Sequence, residues 1–374
     1  MGKNVLGSLS VKTFLQHYWQ KEAHLFQQSI PDFLGFLTAK EIKQLATKPD
    51  VQARLIVRQG RHYECHHGPF RPVDLKHLGE KNWTLLIQSV NHWLPEADQL
   101  LHDFRFIPYA RLDDVMVSYA TPGGGVGPHF DHYDVFLLQG YGLRRWEIAK
   151  TSDLAIRPNQ SLKLLQRFSA QHTHDLEPGD MLYLPPLWAH NGTALTECFT
   201  YSIGFRAPTH QEWVNAMLDY LRDELQVSGV YSDPDLREER HPAKLPDSLI
   251  EQIFTITQKI QWGKKEVIDM VGRYLSEPKT TVFFDGAENS LSLQKFSQSW
   301  TERQLLLNSR TQLLFHKQRF FINGEAFNPD SSCLPLLTEL ADNKIIKPQV
   351  KSKQPKALVA LLHDWHEQGW VYFS

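Results

Sequence analysis

The sequence predicts a mainly β core, then a helical segment, then a small mixed unit, and three observations carry that prediction. Short β-rich runs separated by turns fill residues 51–208, the composition changes at Ala207-Pro208, and helical periodicity takes over beyond it. At 374 residues the chain is too long for one ordinary hydrophobic core and implies two or three domains. We divide it into 1–208, 209–278 and 279–374.

Composition narrows the class. Apolar residues at 41% and charged residues at 22% are those of an ordinary soluble globular protein. The net charge of −2 advertises neither nucleic acid nor an acidic membrane surface. Cys65, Cys198 and Cys333 lie far apart with no Cys-x-x-Cys pair, which argues against a disulfide framework or zinc ribbon and fits a reducing cytoplasm. The opening MGKNVLGSLSVKTFLQHYWQKE has no continuous apolar stretch, and no window approaches a membrane span. The expected location is cytoplasmic, with no membrane partner.

The elements follow in order. Ser10 can cap SVKTFLQHYWQ, and Thr38 with Glu41 forms a capping box on TAKEIKQLA. The runs ARLIV, TLLIQSV, DVMVSYA, DVFLLQG, RRWEIA, DMLYLP and CFTYSIGF read as strands, interrupted by a helical PEADQLLHDF. So many short strands with turn punctuation suggest a barrel or sandwich. Beyond Pro208, Thr209 and Glu212 make a second capping box on EWVNAMLDYLRDEL. After the polar loop SDPDLREERHPAK, helices are expected at PDSLIEQIFTITQKIQ and KEVIDMVGRYL. Periodicity alone does not separate helices packed on their own barrel from helices that join two copies. In QRFFINGEAFN, two apolar runs flank Asn323-Gly324, the preferred pair of a two-residue type I′ hairpin. With helices at SSCLPLLTELADN and PKALVALLHDWHEQG and a final strand WVYFS, this is a winged-helix pattern. KPQVKSKQPK is a local lysine cluster and not a basic stripe, so a solvated loop is favoured over contact with nucleic acid or ribosomal RNA.

Chemistry concentrates between Pro122 and Glu147, in PGGGVGPHFDHYDVFLLQGYGLRRWE. On a strand, His129 and Asp131 would project from one face, an imidazole and a carboxylate forming half of a divalent metal site. His190, in EPGDMLYLPPLWAHNGTA, is the candidate third ligand. Two imidazoles and one carboxylate leave open positions on a non-haem Fe(II). Gly123 five residues before His129, Gly142 after the following strand, and Gly179, Pro185 and His190 in order reproduce the two cupin motifs. The departures are Asp131 in place of a second histidine, Leu187 in place of a glycine, and Val135-Phe136 where a glutamate is usual.

On SYATPGGGVGPHFDHYDVFLLQGYGLRRWEI, LEPGDMLYLPPLWAHNGTAL and YSIGFRAP, the chain resembles the JmjC-type 2-oxoglutarate oxygenases of the cupin superfamily. More closely it is similar to the bacterial ribosomal oxygenases, which hydroxylate an arginine of large-subunit ribosomal protein L-sixteen. The resemblance runs the whole length. It implies a JmjC/cupin double-stranded β-helix in 1–208, with WQKEAHLFQQSIPDF packed beneath the barrel. It further implies a helical dimerisation domain in 209–278, hence a homodimer, and a winged-helix-like domain in 279–374. Cofactors would be Fe(II), with 2-oxoglutarate and O2 as co-substrates, and His129, Asp131 and His190 would be the metal ligands and catalytic centre. Of the adjacent Arg144 and Arg145, only one can face inward. Arg144 matches the family position that meets the distal carboxylate of 2-oxoglutarate, in a two-pronged pairing suited to arginine. Ser118 is a hydroxyl partner for the co-substrate or else a serine filling a tight position. Asp113 and Ser202 match positions that hold a substrate guanidinium, with Tyr133 nearby, although Asp113 could instead cap the strand and Asp114 competes with it. Two alternatives stand beside the arginine hydroxylase: a JmjC-type N-methyl demethylase, and a catalytically silent metal-binding cupin scaffold.

Overall fold

Local signals written in the first forty residues are obeyed in the computed structural model, which describes residues 4–238, 240–287 and 290–374. Met1–Lys3 of the opening stretch and Glu239 of the polar loop lie outside the described residues. Helix α1 (Val11–His17) begins where the Ser10 hydroxyl accepts from the Thr13 amide at 3.1 Å. After β1 (His24–Phe26), α2 (Ala39–Leu45) opens on the complete Thr38–Glu41 capping box. The chain divides into two compact units at Ala207/Pro208.

In the first unit the remaining strands are β2 (Ala53–Gln59), β3 (His62–His67), β4 (Trp83–Ile87), β5 (Leu112–Ala120), β6 (Val135–Tyr141), β7 (Arg144–Ala149), β8 (His172–Leu176), β9 (Met181–Leu184), β10 (Ala189–Ala194) and β11 (Cys198–Phe205). Two helices interrupt them, α3 (Pro72–Lys76) and α4 (Pro95–Asp103). Eight strands form one sheet in the order β1-β9-β6-β11-β5-β4-β2-β3, and three form another, β10-β7-β8. All neighbours are antiparallel. Arg144 on β7 bonds Ser118 on β5 and Thr200 on β11, so the two sheets face each other, as a double-stranded β-helix requires.

Alternation sorts the large sheet. Leu85, Ile87, Val115, Val117, Phe136, Tyr183 and Tyr201 face a core built with the N-terminal segment. Phe14 of α1 sits fully buried among Phe26, Phe136 and Tyr183. The lead-in segment therefore covers the outer face of the barrel and leaves the inner face for the site. Strands β1, β3, β8 and β10 were not expected from the sequence. HYECHH and HTHDL are polar because they run along sheet edges, and AHNGTA is broken by a glycine.

The second unit opens with α5 (His210–Glu224), which carries the Thr209–Glu212 capping box, followed by α6 (Asp247–Thr257) and α7 (Lys264–Ser276). Then come α8 (Leu293–Glu302), β12 (Leu305–Leu307), β13 (Leu313–His316), β14 (Arg319–Ile322) and β15 (Glu325–Phe327). The unit ends with α9 (Leu334–Asn343), β16 (Ile345–Ile346), α10 (Lys356–Glu367) and β17 (Val371–Phe373). Asn323 and Gly324 have φ of 47° and 89°, both positive as a type I′ turn demands. Arg319 grips Asp269 with two bonds of 2.9 and 2.8 Å, fastening α7 to this hairpin. Phe296, Trp300, Leu337, Leu340, Leu358 and Leu362 centre the core. Helix α6 buries no residue within the unit. A cleft of about 550 Å³ between α5, α7 and the hairpin turn is lined by Glu212, Asp219, Asp223, Glu224, Glu277 and Glu325, a sign opposite to the one a phosphate backbone attracts.

Candidate metal centre and its pocket

The two histidines of the candidate centre are held by each other's backbone. The His129 amide donates to the His190 carbonyl at 2.9 Å and the His190 amide to the His129 carbonyl at 2.8 Å. This is a single bridge and not a strand, so the expected strand under His129 and Asp131 is absent. The glycine turn leading into it runs hard against β10, the Gly123 amide donating to the Ala194 carbonyl at 2.8 Å and the Ala194 amide to the Gly124 carbonyl at 2.9 Å. A Cβ on Gly125 would stand 2.2 Å from the Gly192 carbonyl oxygen, closer than any side chain permits. Asp131 is tied down by its own carbonyl, which accepts from the Leu187 amide at 2.7 Å.

Within this frame, ligand atoms of His129, Asp131 and His190 all lie within 4.8 Å of one another. It is the one group of three or more such side chains so disposed among the described residues. Each imidazole places Nδ1 2.9 Å from a carbonyl, Gly127 for His129 and Trp188 for His190. In the neutral ring Nδ1 carries the proton in such a contact, which frees the Nε2 lone pair for a cation. Burial, then the neighbouring His129, pushes the His190 pKa down to about 4, so a proton competes poorly for that nitrogen.

Arg144 and Arg145 separate as strand alternation requires. Arg144 is 2% exposed, and its Nη1 donates to Ser118 at 2.8 Å and to Thr200 at 3.4 Å. It makes no ion pair with any described residue, and its Nε has no acceptor. Burial pushes its pKa down, since desolvation disfavours the charged form. Arg145 turns to the surface and pairs Asp175 through two bonds of 2.7 Å. Ser118 is thus more than filler, since its hydroxyl orients the buried guanidinium.

The carboxylates near the mouth resolve less simply. Asp113 lies 3.6 Å from Arg206 Nε, whereas Asp114 is 2% exposed and accepts from Gln88 and Ser89. The register of β5 against β11 shifts here, so that Asp113 and Asp114 together oppose Gly204. Alternation cannot choose between two residues at such a bulge. Gln88 also accepts from Arg54, whose Nη2 lies 3.6 Å from Met116 Sδ, and Met116 is the register partner of Ser202. Asp114 is therefore linked to Arg54 through Gln88. Tyr133 is 42% exposed as a residue, and its hydroxyl is raised above its ordinary range by desolvation, then by the Asp131 and Asp114 carboxylates. Sequence reasoning overlooked Thr200, Gln88 and Trp146. The period-two rule applied from Arg144 would have found Trp146, which follows it inward on β7.

Residues 99–213 match the JmjC domain, and residues 257–372 match the ROXA-like winged helix. Ribosomal protein uL16 3-hydroxylase of Escherichia coli is 34% identical over 90% of each chain. A probable ribosomal oxygenase of Haemophilus influenzae is 34% identical over 77% of this chain and 70% of its own. The solved structure of the Escherichia coli ribosomal oxygenase YcfD in complex with cobalt and 2-oxoglutarate superposes with a TM-score of 0.83 at 30% identity. It covers 98% of this chain and 99% of that one.

Proposed function

Because this chain belongs to the JmjC-domain ribosomal oxygenases, we propose that it is an Fe(II)- and 2-oxoglutarate-dependent hydroxylase that acts on an arginine of a large-subunit ribosomal protein in the cytoplasm. The complex of a relative with cobalt and 2-oxoglutarate supports the cofactor set. So does the donor chemistry, since two neutral imidazoles and a carboxylate suit a ferrous ion. One observation carries the reading: Arg144 is a buried cation without an ion pair among the described residues, inside the same barrel as the three ligands. A silent scaffold has no use for it, because an uncompensated buried charge is strongly destabilising.

Iron with 2-oxoglutarate and O2 supplies the oxidising power to hydroxylate an unactivated C–H bond. His129, Asp131 and His190 would hold the metal. Arg144, steadied by Ser118 and Thr200, binds the distal carboxylate, and the closed barrel excludes water. At the mouth, Asp114 or Asp113 pairs the substrate guanidinium, with Ser202 and Tyr133 beside it, so a planar two-pronged cation is preferred over a lysine ammonium. Helices in 209–276 join two copies through the uncovered face of α6. The demethylase alternative differs only at this mouth.

The test is a pair of peptides spanning the ribosomal target, with arginine or lysine at the acceptor position. A +O mass shift and succinate release are expected with arginine, and neither with the His129→Ala variant. Equal turnover of both peptides would sink the arginine reading. Loss of a methyl group with no retained oxygen from the same peptide carrying N-methyl-lysine would establish the demethylase.

A further inference from the structure

Among the buried polar atoms inside the barrel that have no partner in the described residues are Nε of Arg144 and the indole Nε1 of Trp146. Both side chains project from the inward face of β7, two residues apart. The Trp146 ring centroid is 5.0 Å from the Arg144 guanidinium carbon and 5.9 Å from the ring of His190. The indole therefore spans the interval between the buried cation and the candidate metal centre. Trp146 is 5% exposed, so bulk water does not satisfy it. Nor can the ring turn freely. A Cβ on Gly192 would lie 2.6 Å from its Cζ3, so the edge remote from the N–H is wedged against the β10 backbone.

A buried N–H without an acceptor is rare in native proteins, and two on one strand face, one of them on a cation without an ion pair, call for one common acceptor. Trp300 offers the contrast. Its Nε1 also lacks an acceptor in the apolar core of the second unit; Trp146 likewise packs in an apolar cluster, with Val135, Leu137 and Leu182, but has the Arg144 cation beside it. A carboxylate has about four lone-pair sites, enough for both the Arg144 fork and an indole.

We propose that the Trp146 N–H is a second donor to the distal carboxylate of the dicarboxylic acid co-substrate, and that Trp146 thereby sets affinity for a diacid of this length. The inference rests on the proposed function, which requires 2-oxoglutarate to enter the barrel.

The experiment measures 2-oxoglutarate binding by titration calorimetry on the full chain with Zn(II) in place of iron, so that no turnover is needed. Trp146→Phe should raise the 2-oxoglutarate Kd roughly ten- to a hundredfold, the loss expected for a hydrogen bond to a charged group. Zn(II) affinity and the Tm of the ligand-free protein should stay unchanged, because the N–H has no partner to lose in that state. Combined with Arg144→Lys, the effect should be non-additive, since both groups meet one carboxylate. An unchanged Kd in Trp146→Phe overturns the proposal. If that variant loses Tm, benzothienylalanine at position 146 replaces only the N–H by sulfur while keeping the ring, and wild-type affinity there overturns it equally. No binding of 2-oxoglutarate to the wild-type chain with Zn(II) would overturn the proposed function and this inference with it.

Discussion

At the scale of single residues, the pair Arg144 and Arg145 gives the sharpest test. Arg144→Ala should raise the 2-oxoglutarate requirement about a hundredfold, because a charge-assisted two-pronged contact is lost. Arg145→Ala should change it little, since its partner Asp175 is on the surface and such exposed pairs contribute little. Saturation curves for succinate release would decide, and equal effects would invert the strand register argued above. Leu187 gives a second test. It stands where cupin motifs usually place glycine, and its φ is +65°, a left-handed conformation that opposes a branched side chain. Leu187→Gly should stabilise the chain by about 1 kcal/mol or less, the relief of strain offset by the freedom glycine gains in the unfolded chain. A fall in thermal midpoint would contradict that. The triad was legible because its residue types and motif spacing are unusual together. The choice between Asp113 and Asp114 was not, because the bulge that re-aims them is decided by pairing with β11, far along the chain.

Among the elements, α6 is the least settled within its own unit. Ile250, Ile253 and Phe254 lie at helical spacing and are 49, 43 and 57% exposed. An apolar stripe left open in this way is expected to meet another copy of itself, as closed twofold interfaces do. Phe254→Asp should convert a dimer to a monomer in light scattering at micromolar concentration, with the metal site unaffected. A wild-type chain that is monomeric at that concentration would remove the dimer. Helix ends were the most legible elements, because the Ser10, Thr38 and Thr209 caps are local contracts between neighbours. Strands β3 and β8 were the least, because an edge strand need not alternate apolar and polar residues when neither face is wholly buried.

For the molecule as a whole, the expectation of a mainly β core followed by helices and a winged-helix pattern was legible from composition shifts and turn chemistry. The order of strands was not. Sheet order depends on long-range pairing, which leaves no mark in a local window. No helix among the described residues is long and apolar enough to cross a membrane. The order has a temporal consequence. Strands β5 and β6 are consecutive in the chain, yet β11 lies between them. While the chain is being synthesised, both therefore wait with open edges until Phe205 has emerged. A chain stopped after Leu195 carries all three candidate ligands but lacks β11. It should fail to take up Zn(II) and should aggregate through those edges, as light scattering would report. The cell thus meets this protein first as an unfinished sheet, and the last strand of that sheet to be made is the one that closes its central seam.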